Sequence, residues 1–415
     1  MYPKRARRAR TAQNGAVSAP LEDIRVVEVA SYVAAPAAGA LLADLGAEVV
    51  KVEIPQGEIY RHSTPRRVGY RSDFPEAPHF QMDNRGKRSL ALDLAREPAR
   101  RALERVLDRT DVLLTNLLPA RLVRYALDAA SLRETRPGLI VANLTGYGTS
   151  GPEADRPGFD YTAYWARTGF MDQMHEPDGP PAFLRGGVGD HAAALALVAG
   201  VLAALRVRDR SGEGQTVGVS LLHTGFYILG NDVALALASG QEPPRHDRRS
   251  ARNPLWNHYR TRDDRWLFLV MIESDRYWPD FCEAVGRPEW RDDPRFDGAI
   301  PRYRHAEILC ALLTELFEQR SLAEWEPLLE RRRLIWSPVR TLSEALGDEQ
   351  ARATGVFAPV DHPTAGRYET VAPPIRLSDH EMSGARPAPA LGADSRAILS
   401  ETGLGPEEID AALES

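Results

Sequence analysis

Apolar and polar positions change period several times along the chain, and those changes mark out the elements. Ile24-Arg-Val-Val-Glu-Val29 is short and β-branched, as a buried strand reads. Ala34 to Gly46 (AAPAAGALLADLG) is a small-residue stretch suited to a helix, and Glu48-Val-Val-Lys-Val-Glu53 returns to strand character. Strand, helix and strand in so short a span predict a βαβ unit with parallel strands and a right-handed crossover. The pattern repeats at Val112-Leu-Leu-Thr-Asn116 and Leu139-Ile-Val-Ala-Asn-Leu144. Pro98 suits the first turn of a helix before the former, and Arg133 to Gly138 marks the turn before the latter. Further strand patterns lie at Thr216 to Leu221 and Trp266 to Ile272. The predicted architecture is an open, Rossmann-like parallel sheet that receives ligands at its carboxyl edge.

The apolar run Ala192 to Leu205 (AAALALVAGVLAAL) has no charge before Arg206. At about 14 residues it falls short of the roughly 20 that span a bilayer, so it predicts a helix buried in protein and no membrane partner. Residues 1–20 read as a disordered basic tail, with Lys4, Arg5, Arg7, Arg8 and Arg10 and no apolar stretch of the kind a secretory signal needs. Residues 21–235 form the first part of the large α/β domain, and 236–254 a polar linker. Residues 255–335 form a smaller α+β domain, with Trp256, Trp266, Trp278, Trp290 and Trp325 for its core. Residues 336–415, Pro- and Gly-rich until an amphipathic end near Pro406 to Leu413, are expected to return to the large domain.

The chain has 415 residues, 43% of them hydrophobic, enough for more than one lobe, and its net charge of −6 offers no basic field for nucleic acid. Cys282 and Cys310 show no CxxC spacing and the ten histidines no HExxH, so neither structural nor catalytic metal is expected and a reducing, cytoplasmic setting fits. No GxxxxGK[ST] loop is present. The first βα turn reads Ala30-Ser31-Tyr32-Val33-Ala34-Ala35-Pro36 in place of GxGxxG, which argues against a nicotinamide oxidoreductase. Its small residues still permit close approach of a nucleotide-like ligand.

One stretch carries candidate chemistry. Leu184-Arg-Gly-Gly-Val-Gly-Asp-His191 delivers a carboxylate, Asp190, to the start of the long apolar run. Asp190 reads either as a helix N-cap or as a nucleophile that three nearby glycines leave accessible beside backbone N–H donors.

The order of motifs resembles the family III CoA-transferases, the CaiB/BaiF group that includes formyl-CoA transferase. The resemblance rests on Ala34-Ala-Pro36, Leu42 to Glu53, Asn84-Arg-Gly-Lys87 through Asp93, Asp111 to Asn116, Pro137 to Val141, Gly146-Tyr-Gly148 with Gly151-Pro152, Arg156 to Asp160, Val188-Gly-Asp190 and Gly212 to Gln215. Pro389-Ala-Leu-Gly392 with Ile398-Leu399 closes it, so it runs from about residue 21 to the C-terminus. It implies that Asp190 is the nucleophile, with an ordinary reference pKa of about 3.9; Gly189, His191 and Asp160 are candidates for supporting it, with His191 reading equally as a packed or capping histidine and Asp160 as a helix cap. It places coenzyme A contacts at Val33, Ala34, Lys87, Asn116, Leu117 and Arg124, with Arg61 a further candidate. Coenzyme A would be a substrate, carried in as acyl-CoA and exchanged with a carboxylic acid, and no cofactor would stay tightly bound. An interlocked homodimer is implied as well. The related α-methylacyl-CoA racemases carry a His before the acid of Gly158-Phe159-Asp160; Phe159 cannot move a proton, which disfavours that alternative. A non-catalytic CoA-binding module is the other alternative. His-Ala-Ala-Ala after Asp190, and Arg252-Asn-Pro-Leu-Trp-Asn-His-Tyr259 where the formyl-CoA branch has a glycine-rich loop, depart from the pattern. The latter resembles the branch acting on larger aromatic, steroid or dicarboxylic acids.

Overall fold

The computed structural model describes residues 19–380, 382 and 386–414; the basic tail expected over 1–20 lies outside them apart from Ala19 and Pro20. The described residues form two compact units, one of 19–170, Leu184–Ala238 and Arg352 onward, the other of Met171–Phe183 and Ser239–Ala351.

The larger unit holds a six-stranded parallel sheet of β1 (Arg25–Val29), β2 (Glu48–Glu53), β3 (Arg88–Ala91), β4 (Val112–Thr115), β5 (Ile140–Thr145) and β6 (Thr216–Ser220). Its order is β3-β2-β1-β4-β5-β6, so the chain reverses direction across the sheet between β1 and β4 and opens a crevice at their carboxyl ends. Strand β3 has only four residues, and its arginine and serine hide it from hydrophobic periodicity; it forms because β2 offers an edge on which Leu90 and Ser89 can be buried. Helix α1 (Ala34–Asp44) is buried at every position, and its small side chains let its backbone lie close to the sheet. Helices α2 (Pro78–Asn84), α3 (Glu97–Leu107) and α4 (Pro119–Arg124) follow, each with Pro in its first turn. From Arg352 the chain lies with the larger unit, where Ile398 and Leu399, with Ile409 and Ala412, join the core that α3 contributes to through Ala99, Ala102, Leu103, Val106 and Leu107; residues 336–351, expected there too, belong to the smaller unit because Trp336–Pro338 pair as a strand with Trp266–Val270.

The smaller unit has a three-stranded antiparallel sheet of β7 (Trp256–Arg260), β8 (Trp266–Val270) and β9 (Trp336–Pro338). Trp278, Trp290 and Trp325 sit in its core, Trp266 is half-buried and Trp256 is exposed. Residues Met171–Phe183 also belong here, where Asp172 pairs with Arg245 and Asp178 with Arg249. Pairing of charges so far apart in sequence leaves no local signal, so the sequence reading assigned this segment to the first lobe.

Among the charged side chains buried in the larger unit, Glu28, Lys51, Glu58 and Lys87 form one connected cluster. Parallel pairing sets Glu28 of β1 opposite Lys51 of β2, whose Nζ lies 2.9 Å from Glu28 Oε1 and 2.8 Å from Glu58 Oε1. Lys87 Nζ lies 2.7 Å from Glu28 Oε2 and also donates to the carbonyls of Pro36 and Asp83 and to Asn84 Oδ1. Burial works against the Lys51 charge, but Glu28, Glu58 and Glu53 outweigh it and hold the lysine above its ordinary pKa. For Lys87 burial wins over Glu28, the charge of Lys51 adds to it, and the pKa falls to about 8. Gly39 of α1 covers the cluster, and a Cβ there would fall 2.1 Å from Glu28 Oε2 and 3.2 Å from Lys87 Cε. In an open helix, Gly→Ala stabilises by about 1 kcal/mol. Here Gly39→Ala is expected to destabilise by roughly 2–4 kcal/mol, because a packed ion cluster must be displaced. Urea unfolding with an unchanged or raised midpoint would contradict this account of α1.

Candidate active site

The first turn after β1 and the ends of β4 and β5 enclose a cavity of about 230 Å³, lined among others by Tyr32, Val33, Ala34, Asn116, Leu117, Arg121, Phe159 and Asp190. A second cavity of about 330 Å³ lies over the ends of β1 and β2 and shares Ser31, Tyr32, Leu117 and Arg121 with the first. Together they follow the reversal point of the sheet, where an open α/β sheet receives its ligands.

Each wall has a local cause. Asn116 brackets Ser31, accepting from its N–H at 3.2 Å and donating to its carbonyl at 2.7 Å, which ties the end of β4 to the β1 turn. Tyr32 takes a left-handed backbone at φ 66°, and its N–H donates to Glu58 Oε2 at 2.6 Å. Asp190 is the third residue of the long helix Val188–Ser211, whose N-cap is Gly187 at φ 88°. The capping reading of Asp190 is therefore overturned: a residue inside the first turn cannot cap it. Asp160 serves that end instead, its buried Oδ2 accepting from Gly187 N at 2.8 Å. Gly186 and Gly189 are required by space, since a Cβ on either would come within 2.6 Å of Tyr161 Oη or Tyr164 Cγ respectively. The helix itself runs 24 residues, longer than the apolar run predicts because Arg206 to Ser211 continue it. Its length and composition would suit a membrane span. Gly189, Ala193, Ala194, Leu197, Val198, Val201, Ala204 and Leu205 are instead buried within protein.

With Gly187 held by Asp160, the Asp190 carboxylate is carried into the cavity wall with no hydrogen bond or ion pair among the described residues. Burial pushes its pKa up to about 7; the Asp160 charge adds to this, His191 opposes it, and Asp83 adds a little more. The ordinary carboxylate expected from sequence is thus replaced by a group near half-ionisation at neutral pH, a consequence of environment that residue type does not carry. Burial also raises the Asp160 pKa, over the opposing effect of backbone N–H donors. His191 Nε2 lies 3.0 Å from Asp83 Oδ1; burial pulls the imidazole down, yet Asp83 and Asp190 together raise it above its ordinary pKa. Tyr60 is pushed up to about 12, by burial first and then by Asp83 and Asp190, which marks it as a neighbour of this acidic group that sequence reasoning missed.

Val33, Ala34, Asn116 and Leu117 line the cavity with Asp190, as the motif order implies. The three expected cations do not join them. Lys87 is spent inside the core on Glu28 and backbone carbonyls. Arg61 pairs with Glu53 at 2.6 Å, donates to the Pro389 carbonyl and stacks on Phe80. Arg124 is exposed, lies over the Tyr125 ring and lines neither cavity. Arg121, one turn earlier in α4, lines both. Pro119 offered a signal for it, because a helix that starts there points its first turn at the strand ends.

Comparison with known proteins identifies the family of the chain. The family model for CoA-transferase family III matches residues 21–395. The (R)-2-hydroxy-4-methylpentanoate CoA-transferase of Clostridioides difficile is 32% identical over 390 residues, 94% of this chain and 97% of its own. The cinnamoyl-CoA:phenyllactate CoA-transferase of Clostridium sporogenes is 31% identical, with 93% and 94% covered. The crystal structure of a CAIB/BAIF family protein from Brucella suis superposes with a TM-score of 0.81 at 29% identity, covering 92% of this chain and 99% of that one. A nearly full-length match of model, sequence and fold, over a crevice that presents an unpaired carboxylate, leaves one assignment: the chain belongs to CoA-transferase family III and is an acyl-CoA:carboxylate CoA-transferase.

Proposed function

We propose that Asp190 carries the transferred acyl group. One of its oxygens attacks the thioester carbon of an acyl-CoA, the C–S bond breaks, and CoA leaves as thiolate from a mixed aspartyl anhydride. The thiolate then attacks the aspartyl carbonyl, releasing the donor acid and leaving an aspartyl-CoA thioester. An incoming carboxylate repeats the two steps in reverse and departs as the new acyl-CoA. Every intermediate retains an activated acyl bond, so no nucleotide hydrolysis is needed. The observation that carries this reading is the free Asp190 carboxylate at the cavity wall, in the first turn of the long helix, where the helix N-terminus favours negative charge on a tetrahedral oxyanion. Asp160 acts on the turn as a positioning residue. Two-base proton transfer at the α-carbon is disfavoured, since the position before Asp160 is held by Phe159, which lines the cavity and cannot move a proton.

CoA enters in this reading as a transient substrate, with its pantetheine along Val33, Ala34, Asn116 and Leu117 and its phosphates near Arg121. No tightly bound cofactor takes part, and the cytoplasm, where acyl-CoA is available, is the proposed setting. An interlocked homodimer is supported by apolar side chains left open on the larger unit, with Tyr227 79% and Leu237 81% exposed.

Three outcomes test the proposal. Incubation of the protein with a panel of acyl-CoAs should give a hydroxylamine-sensitive adduct on Asp190 by mass spectrometry; Asp190→Ala should abolish adduct and exchange while keeping CoA affinity within about threefold. Exchange by that variant at the wild-type rate would remove the mechanism. Because Asp190 attacks only when ionised, kcat/KM should climb with pH and level off above about 7. Asp160→Asn, which removes the neighbouring charge, should move that rise to lower pH, and an unmoved profile would count against the electrostatic account. A raised carboxylate pKa also costs stability as pH rises from the unfolded value to the folded one, and the full cost remains above it. Asp190→Asn should therefore stabilise by about 2–4 kcal/mol at pH 8 and negligibly near pH 4, as paired thermal melts would read.

A further inference from the structure

Among the described residues, two aromatic side chains, Tyr32 and Phe159, line the cavity that holds Asp190. Their ring centroids lie 5.2 Å apart at an interplanar angle of 81°, edge to face. They remain 39% and 53% exposed although both are large and apolar, and Tyr60 extends the aromatic surface with its ring 6.2 Å from that of Tyr32.

Neither ring is held loosely. Tyr32 keeps a backbone conformation rare for a bulky residue, fixed by the Glu58 carboxylate on its N–H, and Glu58 is itself paired with buried Lys51 at 2.8 Å. Strain of this kind persists only where the surroundings over-determine it, and it collects at functional sites. Phe159 stands on a closely packed turn. A Cβ on Gly146 would already come within 3.0 Å of Gly158 Cα, and the next residue, Asp160, is committed to Gly187 N. Two partly exposed rings, presented edge to face beside Asp190, offer aromatic surface on which a third ring can complete the same geometry.

Resting on the acyl-transfer reading above, we propose that Tyr32 and Phe159 are the specificity-determining residues of the acyl site and that they select acids bearing an aryl ring. The carboxyl carbon of such an acid sits at Asp190 while its ring packs against the pair. Short alkyl acids reach the same carboxylate but leave the aromatic surface wet.

Self-exchange tests this without knowledge of the physiological acids. Transfer of CoA between 3-phenylpropanoyl-CoA and deuterated 3-phenylpropanoate is compared with transfer between butyryl-CoA and deuterated butyrate, each as kcat/KM. The wild-type ratio should exceed about tenfold in favour of the aryl pair, and Phe159→Leu, which keeps apolar bulk but removes the ring, should lower it about tenfold. Tyr32→Asn, which tolerates the left-handed backbone but lacks the ring, should lower the ratio independently. A wild-type preference for butyrate, or a ratio untouched in both variants, would overturn the assignment of these rings. Absence of any Asp190 adduct and of any exchange in the wild type would instead overturn the transfer reading on which it rests.

Discussion

A half-buried carboxylate with no hydrogen bond or ion pair among the described residues is unstable by itself, so the rest of the site must hold Asp190 where it is. The holding is done by backbone. Gly187 enters the long helix through a left-handed conformation and gives its N–H to Asp160, while Gly186 and Gly189 let Tyr161 and Tyr164 close against the turn. No side-chain partner is left to neutralise Asp190, and burial beside a second acid raises its pKa. The glycines thus act on chemistry through space: larger residues would push the turn outward, let water reach the carboxylate and return it to an ordinary acid.

A second line of force reaches the site from the sheet. Lys87, Glu28, Lys51 and Glu58 form a continuous run of buried charges that ends on the Tyr32 N–H. Removing one member of such a run strands the charge of its neighbour, which costs more than the pair contributed. That asymmetry gives the run a positional role. Tyr32 is held in its strained turn by Glu58, which is tied in turn to Lys51 of the neighbouring strand β2; withdrawal of Glu58 would leave that buried lysine with Glu28 alone as carboxylate partner.

The βαβ unit, the parallel character of the sheet and the place of Asp190 at the start of the long helix were legible in the sequence, because parallel strands advertise themselves as apolar runs and glycines mark turns, whereas the order of the strands was not. What failed was the reading of cations. Lys87 stands beside motif residues and reads as a phosphate ligand, but its fate depends on Glu28, which is 59 positions earlier and reads as an ordinary polar interruption of β1. Arg61 is similarly consumed by Glu53 and Phe80. Residue type announces a charge; only tertiary pairing says whether that charge remains available. The same limit applies to Asp190, whose position could be inferred but whose pKa could not, since the group that shifts it after burial lies 30 residues away.

The raised pKa also bears on direction. In the proposed anhydride the CoA thiolate can attack either carbonyl, and the carboxylate that leaves is favoured if it is the weaker base. An ordinary alkyl acid has a pKa of about 4.3, whereas the Asp190 environment resists ionisation up to about 7. Expulsion of Asp190 would recreate a buried, unpaired charge, while expulsion of the donor acid delivers a carboxylate toward solvent. Each pK unit corresponds to about 1.4 kcal/mol between the two protonation states, so even part of this difference in the transition state would bias attack toward the aspartyl carbonyl. In the proposed mechanism the burial that lowers the fraction of ready nucleophile at neutral pH would also favour aspartyl-CoA over the acyl-CoA on either side of it, because the acceptor half runs the same steps in reverse.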